Sequence, residues 1–470
     1  MKPERKPEDY AEPFCQFLTE NPTVFHTVAA MADQLKNAGY EKLSERQEWK
    51  LKTGGKYYVE RNGSSLIAFL VGEDYKPGNG AAIIAGHVDA VTVKVKPVSK
   101  VPTKAGYLQL GVAPYAGGLN STWWDRDLGI GGRVIVQSEG KITTKLVTLN
   151  RGIARIPTLA PHFGAAANGP FNTETQMVPI IGLDDEPESD AMVDAFAEAP
   201  RTTSSCFADT QPPRLVKAVT GELGIKDPST ILDWDLELFD TQPAALGGLD
   251  KDLLFAPRID DKICSWAAVQ ALLASHSSGS GIIRIAALFD NEEIGSLLRQ
   301  GARGNFLPAT LSRAVEALAP DAAQADLSAR TAANSFLLSA DVTHAANPNF
   351  LGAYLAGHAP RLNVGPAIAR DPNGHMTSDG PSCALLSACV AKRGLPPLQV
   401  FQIRNDSRSG GTVGPMLSSA IGCRAIDAGI VQLSMHSIRA TTGAKDPGLG
   451  VKVFEAFYGE FEKVDGEVVD

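Results

Sequence analysis

Two adjacent carboxylates follow a long apolar run near the middle of this chain. The run Ile282 to Phe289 predicts a buried strand, and the segment after it contains Glu292 and Glu293. Neighbouring carboxylates at a strand end are costly to desolvate unless they are paired. A bound cation would remove that cost, leaving one glutamate to ligate the ion and the other to move protons. The alternative is a solvated acidic loop, which explains most Glu-Glu pairs that stand alone.

Other residues of metal-ligating types also follow apolar runs. His87 and Asp89 come after the apolar run 81–85, and residues two apart on an extended segment point to the same side. Asp89 would then orient the His87 ring, although a His-x-Asp pair by itself is more often a surface pair. Three more such residues follow apolar runs later in the chain: Asp260, Asp341 and His436.

Together these residues predict a metal centre. Ligands of open α/β sheets bind in the crevice beyond the carboxyl ends of the strands. Two histidines and several carboxylates without cysteine fit a dinuclear zinc site, in which manganese or cobalt could substitute. Asp260 also precedes an apolar helix, however, and a carboxylate beside a helix N-terminus is tolerable without a metal. The metal prediction therefore depends on these distant segments converging.

Strands and helices alternate along much of the chain, and they are the elements that would position these residues. This order predicts an α/β fold with a three-layer sheet domain. Near the start, Asn21-Pro22-Thr23 interrupts a helical pattern, with Thr23 as a candidate cap, and Asn62-Gly63 predicts a hairpin turn. Further strands are predicted at 253–261, ending in two aspartates, and at 336–340, 399–403 and 425–430. Helices are predicted at 264–274, 309–318 and 447–458.

The residue composition and pattern of the sequence change between residues 93 and 246. Glycine- and proline-rich segments there separate short β-like runs such as 133–136 and 145–149. We therefore predict an inserted, mostly β domain at 93–246, with a flexible loop at 184–205. The catalytic domain would comprise 1–92 and 247–470.

Composition argues against several classes of protein. The 470 residues carry a net charge of -9, and without a basic block we expect no nucleic-acid partner. No apolar run approaches the length of a membrane span, and the first residues lack the apolar core of a secretory signal. The six cysteines form no C-x-x-C pair, which indicates reduced thiols. The glycine-rich segment 404–415 lacks the lysine of a P-loop, although its backbone amides could cradle a substrate.

Seven motifs, taken in order, give the chain a family resemblance from about residue 10 to its end. The motifs are Gly86-His-Val-Asp-Ala, Asp125-Arg-Asp-Leu-Gly-Ile-Gly-Gly-Arg, Ala256-Pro-Arg-Ile-Asp-Asp, Asp290-Asn-Glu-Glu-Ile-Gly-Ser, Ser339-Ala-Asp, Ser407-Arg-Ser-Gly-Gly-Thr-Val-Gly-Pro and Ser434-Met-His-Ser-Ile-Arg-Ala. With them the chain resembles the vacuolar aminopeptidase I and aspartyl aminopeptidase family of dinuclear-zinc enzymes, and within that family the fungal vacuolar branch.

The resemblance implies an aminopeptidase that removes the N-terminal residue of peptides. Glu292 would be the general base, Asp89 the orienting carboxylate, and Asp260 the bridge between two zinc ions in each subunit. The implied metal ligands are His87, Asp260, Glu293, Asp341 and His436.

The resemblance also implies an assembly. Family members form a tetrahedral dodecamer, built from dimers, whose chambers admit peptides rather than folded proteins. The inserted domain would mediate dimerisation and lend His162 to the active site of the neighbouring subunit. His344 and His358 match family positions near the substrate.

Two residues depart from the acidic-specific members of the family. Ala369 stands where those members carry a lysine after Gly-Pro-x-Ile, and Ala440 stands where they carry a glutamate. Without the lysine an acidic substrate side chain loses its obvious counter-charge, although the adjacent Arg370 could compensate. We therefore predict preference for a neutral, leucine-like N-terminal residue, with an acidic-specific aspartyl aminopeptidase as the alternative.

The start of the chain departs from the vacuolar branch, whose members normally begin with a helical propeptide. The first dozen residues here are not clearly amphipathic, so the expected compartment is the vacuole lumen or the cytoplasm. Two other classes stay open. One is a catalytically silent assembly or cargo shell, and the presence of Glu292 argues against it. The other is a metal-dependent amidohydrolase acting on small acylated amino acids.

Overall fold

The computed structural model describes residues 5–184, 206–319 and 326–468. Nearly all of the loop predicted at 184–205 therefore lies outside the described residues. The chain divides into two compact units. The first unit comprises Met1–Ala90, Ala244–His436 and Ala440–Asp470, and the second comprises Val91–Pro243 and Ser437–Arg439.

Helices and strands alternate through most of the first unit, whereas strands dominate the second. The α-helices are α1 Ala11–Glu20, α2 Val24–Asn37, α3 Pro213–Leu223, α4 Ile259–Ala274, α5 Phe306–Leu318, α6 Leu327–Ala333, α7 Gly380–Lys392, α8 Val413–Ile421 and α9 Asp446–Asp465. The strands are β1 Glu41–Leu43, β2 Lys56–Arg61, β3 Ser65–Val71, β4 Ala81–His87, β5 Thr92–Lys100, β6 Tyr107–Tyr115, β7 Leu128–Ser138, β8 Lys141–Ala154, β9 Ile180–Leu183, β10 Ile231–Asp240, β11 Ala245–Gly247, β12 Leu253–Ala256, β13 Ile283–Phe289, β14 Phe336–Ser339, β15 Thr343–His344, β16 Ala367–Ala369, β17 Gln399–Phe401, β18 Arg424–Gly429, β19 Val431–Gln432 and β20 Ala440–Gly443. Short 3-10 helices occur at Pro7–Tyr10, Ser121–Trp123, Pro161–Ala167, Phe207–Thr210, Pro228–Thr230, Glu292–Ile294 and Leu351–Ala353.

A mixed nine-stranded sheet forms the centre of the first unit. Its strand order is β1-β2-β3-β13-β4-β14-β18-β16-β17. The strands β13, β4, β14 and β18 run parallel to one another, so their carboxyl ends lie at the same edge of the sheet. In β3, β4 and β13 every residue is buried, which requires cover on both faces of the sheet.

Alternate residues of these strands pack against different helices. Leu66 and Ile84 belong to the core formed with α1, α2, α4, α7 and α9, whereas Ile67 and Ile83 belong to the core formed with α5 and α8. Because side chains alternate across a strand, one apolar run supplies both cores. The three-layer α/β prediction is therefore confirmed.

The local signals at the start of the chain are also confirmed. The Thr23 hydroxyl accepts a hydrogen bond from the His26 backbone N–H at the start of α2. Between β2 and β3, Asn62 and Gly63 have φ angles of 60° and 64°, which suits a tight hairpin turn. The last helix is longer than predicted and ends at Asp465, since its apolar face continues beyond residue 458.

The second unit is built on a six-stranded sheet in the order β8-β7-β10-β5-β6-β9. The described neighbours in this sheet pair antiparallel. The sequence prediction assigned the short segment Ser437–Arg439 to the catalytic domain, yet it belongs to this unit. The Arg439 guanidinium lies 2.9 Å from a carboxylate oxygen of the buried Asp240, which explains the difference. Within the described ranges, no helix combines the length and the apolar character that crossing a membrane would need.

Candidate active site

The acidic and histidine residues at the strand ends converge in the first unit. His87 is the last residue of β4, Glu292 and Glu293 form the turn after β13, and Asp341 follows β14. The strand predicted to end at Asp260 and Asp261 stops at Ala256 instead, and Asp260 lies in the first turn of α4. Parallel pairing of these three strands delivers their ends to one place. Gly86 is needed for this approach, because a Cβ atom there would lie 2.7 Å from Asp261 Oδ2.

The convergence creates two groups of donor atoms that could each hold a metal ion. In the first group, His87 Nε2 lies 3.2 Å from Asp260 Oδ1 and 3.5 Å from Asp341 Oδ1. In the second, His436 Nε2 lies 3.5 Å from both Asp260 Oδ2 and Glu293 Oε2. The ligand atoms of each group lie within 4.8 Å of one another. Asp260 belongs to both groups and offers one oxygen to each.

Glu292 and Asp89 lie beside these groups but belong to neither. Glu292 Oε2 lies 3.9 Å from His87 Nε2, and Glu292 lines the cavity described below. Asp89 is buried, and its two oxygens accept hydrogen bonds from the backbone N–H groups of Glu292 (3.1 Å) and Glu293 (3.2 Å). Asp89 Oδ1 also lies 3.3 Å from His87 Nδ1. This one carboxylate therefore contacts both the imidazole and the glutamate turn.

The accumulated negative charge changes the acidity of these groups. Burial, reinforced by nearby carboxylates such as Asp341 and Asp260, raises the pKa values of Glu292 and Glu293, and His87 only partly opposes this. Burial alone would lower the pKa of His87, but Asp341, Asp260 and Asp89 together raise it well above its ordinary range. Such mutual repulsion is what a bound cation would relieve.

The donor set fits divalent metal ions of the zinc type. Each group combines one imidazole with two carboxylates, which are ordinary ligands of zinc. Glu293 Oε1 is buried and has no hydrogen-bond partner among the described residues, so it has unused capacity as a ligand. The residues present therefore match the ligand chemistry of zinc.

A cavity of about 340 Å³ opens beside the donor groups. Its polar lining includes His344 and the glycine-rich segment 409–412. The wall also contains a set of apolar side chains: Val342, Ala369, Met376, Phe401, Ile403 and Met435. Among the described residues that line it there is neither a lysine nor an arginine.

The three other predicted histidines occupy different places. His344 lines this cavity, and its ring centroid lies 5.4 Å from that of Phe401. His358 is in a turn, with Nδ1 3.1 Å from the Ala356 carbonyl, and it is not among the residues lining the cavity. His162 belongs to the second unit, in the exposed 3-10 segment Pro161–Ala167.

Sequence reasoning missed several residues of the site. Met376 lies in an irregular segment without a recognisable pattern, so nothing in the sequence marked it as cavity wall. Met435 lies in a quoted motif, and its position next to the predicted ligand His436 is the signal that could have found it. Asp427 carried a weak signal, since it is an acidic residue inside an apolar strand. Its Oδ2 accepts hydrogen bonds from the Thr377 backbone (2.6 Å) and hydroxyl (2.7 Å), which ties the segment containing Met376 to β18.

The fold and the site define a class: the chain belongs to the aminopeptidase I zinc metalloprotease (M18) family, whose model matches residues 17–458. It is a metallo-aminopeptidase, and the recognition made from the motifs is confirmed. The chain is 43% identical over 472 residues to vacuolar aminopeptidase 1 of Saccharomyces cerevisiae, covering 98% of this chain and 90% of that protein. It is 40% identical over 472 residues to the aspartyl aminopeptidase of Aspergillus oryzae, covering 95% and 94%.

Solved structures agree with these relatives. Chaetomium thermophilum mApe1 shares 52% identity and a TM-score of 0.90, over 99% of this chain and 100% of that one. The mApe1 dodecamer of S. cerevisiae shares 39% identity and a TM-score of 0.84, over 98% of each chain.

Proposed function

We propose that this protein removes a neutral, leucine-like residue from the N-terminus of peptides, using a pair of metal ions. The observation that carries the proposal is the meeting of His87, Asp260, Glu293, Asp341 and His436 beside a cavity whose wall is partly apolar. The two donor groups would hold two ions and would share Asp260. Zinc is the expected metal, and manganese or cobalt could substitute for it. When bound, such a pair polarises a carbonyl and makes a water molecule acidic.

Glu292 is the proposed general base. It faces the cavity without belonging to either donor group, so its carboxylate is available for proton transfer. It accepts a proton from the attacking water as the oxygen–carbon bond forms, and returns that proton to the amine as the carbon–nitrogen bond breaks. Asp89 is proposed to position this chemistry, because it holds the His87 ring and the backbone of Glu292 and Glu293 at once.

The cavity wall supports a neutral substrate side chain. Ala369, at the position where acidic-specific relatives carry lysine, lines the cavity directly. The neighbouring Arg370 is exposed and is not among the lining residues, so it does not supply the missing counter-charge from within the described wall. An acidic side chain would enter beside Glu292, Asp341 and Asp427 without a cation of the chain to meet it, which is unfavourable.

A panel of N-terminal residue substrates tests this proposal. The zinc-loaded enzyme should give a higher kcat/KM with leucyl than with aspartyl anilides. The reverse order would establish the acidic-specific alternative, which the 40% identity to an aspartyl aminopeptidase keeps relevant. Absence of turnover with every substrate, at full metal content, would favour the silent assembly shell. Cleavage of acylated amino acids but not of peptides would favour the amidohydrolase.

We also propose an oligomer. The similarity to a dodecameric structure over 98% of each chain supports a dodecamer built from dimers through the second unit. The exposed His162 is proposed to reach the substrate of a partner subunit, and His344 and His358 to lie near it from within the same chain. Light scattering would measure the mass of the assembly. His162→Ala should raise KM and leave that mass unchanged.

The named vacuolar relative supports the vacuole lumen as the compartment, with the cytoplasm as the alternative, and imaging of the tagged gene product decides between them.

A further inference from the structure

A second and larger cavity in the first unit is lined by none of the metal-cluster residues. It has a volume of about 1200 Å³ and lies among the end of α4, the segment 275–279 and the last turns of α9. We call it the basic cavity. Its charged lining residues are five bases and two acids, Arg5, Arg284, Arg393, Lys452 and Lys463 against Glu455 and Glu462. This excess of positive charge contrasts with the net charge of -9 of the whole chain.

Arg284 is the most deeply placed of these bases. Arg284 is only 8% exposed, yet it lines the basic cavity. Its Nε donates to the Tyr458 carbonyl (2.7 Å) and its Nη1 to the His276 carbonyl (2.8 Å), and both acceptors are neutral. No carboxylate oxygen of a described residue lies within 4 Å of the Arg284 guanidinium, so this group forms no ion pair there. Burial accordingly lowers the pKa of this guanidinium. A buried cation without an ionic partner is costly, and an anion in the cavity would reduce that cost.

The acids of the wall are already engaged. Glu462 accepts hydrogen bonds from the Gly281 backbone N–H (2.8 Å) and the Ser280 hydroxyl (3.2 Å), so its two oxygens hold the loop before β13. Glu455 lies 3.1 Å from Lys452. The Lys463 side chain, on the same helix, makes no hydrogen bond or ion pair with any described residue. Arg393 is paired with Glu460 outside the lining, whose Oε1 lies 2.7 Å from its Nε. The positive charge that has no carboxylate partner among the described residues therefore includes that of Arg284 and Lys463.

We propose that the basic cavity is a binding site for a phosphate-type oxyanion, either the free ion or a phosphate ester. The planar guanidinium group of Arg284 suits the paired oxygens of a phosphate, and Lys463 adds a mobile point charge. Arg393 adds a second guanidinium group, whose Nε is already paired with Glu460. The volume exceeds what a single inorganic ion fills, so an ester also fits. This site is separate from the aminopeptidase centre and does not depend on the function proposed for it.

Calorimetric titration of the zinc-loaded enzyme with inorganic phosphate and with glycerol phosphate, at constant ionic strength, tests the proposal. Lys463→Glu and Arg393→Gln should each weaken binding at least tenfold, because each removes a cation from the wall. Lys50→Glu is the matched control, since Lys50 is an exposed lysine of the same unit outside this cavity. Arg284→Met is informative only where the variant folds, so the two surface variants carry the test.

Phosphate can also bind at a metal centre, and inhibition of peptide cleavage reports that second event. We expect the inhibition constant to be unchanged in the cavity variants while the calorimetric Kd rises. The probe that binds more tightly, glycerol phosphate or inorganic phosphate, is the form of phosphate that the site prefers. Either preference supports the proposal. A wild-type Kd weaker than about 1 mM for both probes would overturn the proposal, as would a Kd unchanged in both variants. An equal loss in Lys50→Glu would overturn it too.

Discussion

Replacing Glu292 by glutamine separates proton transfer from metal binding. Glutamine has nearly the same shape, and Glu292 belongs to neither donor group, so the metal ligands keep their places. The variant cannot accept a proton from water. General-base catalysis contributes about 10²–10⁴-fold, which corresponds to about 3–5 kcal/mol of transition-state stabilisation. We expect kcat to fall by that factor with a smaller change in KM, measured with leucyl anilide at equal protein concentration.

Metal content must be measured on the same preparations. The Glu292→Gln variant should retain wild-type metal stoichiometry by elemental analysis, and its thermal stability should stay close to that of wild type, because glutamine keeps the shape of the side chain and both donor groups are unchanged. Glu293→Gln is the matched control, one residue away and in the second donor group; it should lose bound metal. Activity of Glu292→Gln within tenfold of wild type, at full metal content, would refute the assignment of the base.

Three further predictions concern the surroundings of the site and the fold. Asp89→Asn should lower kcat and metal affinity by about 10–100-fold each, since it weakens the support of a ligating imidazole, and chelator competition measures the affinity. Ala369→Lys should raise the aspartyl-to-leucyl ratio of kcat/KM about tenfold, whereas Arg370→Ala, outside the cavity wall, should leave it unchanged. Burial lowers the pKa of His26 to about 4, so the folded state binds fewer protons than the unfolded state, and stability is lost as pH falls from about 6.5 towards 4. Discounted for its partial exposure, this loss is about 1–2 kcal/mol, and His26→Gln should show a smaller drop in melting temperature between neutral and acidic pH than wild type. Equal drops in the two proteins would contradict it.

Local patterns were sufficient for much of the scaffold. The run that became β13 was visible because a strand buried on both faces is a continuous apolar run. The start of α2 was visible because Thr23 caps it, and such a cap needs only residues close in the chain.

Helices α7 and α8 of the first unit were not predicted, and neither was the short helix α6. In α7, Asp379 accepts a hydrogen bond from the Ser382 backbone N–H, and Pro381 occupies the first turn, so a start signal was present. In α8 the helix begins at Val413, inside the segment interpreted as a glycine-rich loop. Glycine and proline at the start of these helices masked them, because the same residues are also typical of turns.

The sequence by itself determined which side chains could ligate a cation, that they follow strands, and that their order matches one family of metallo-aminopeptidases. The resemblance to that family also implied the shared role of Asp260, whereas tertiary structure alone decided that Ala369 and Met376 form a wall of the same cavity. The physical reason is distance along the chain. Periodicity and caps report interactions over a few residues, whereas the cavity is made by residues from separate strands and loops that only sheet pairing brings together.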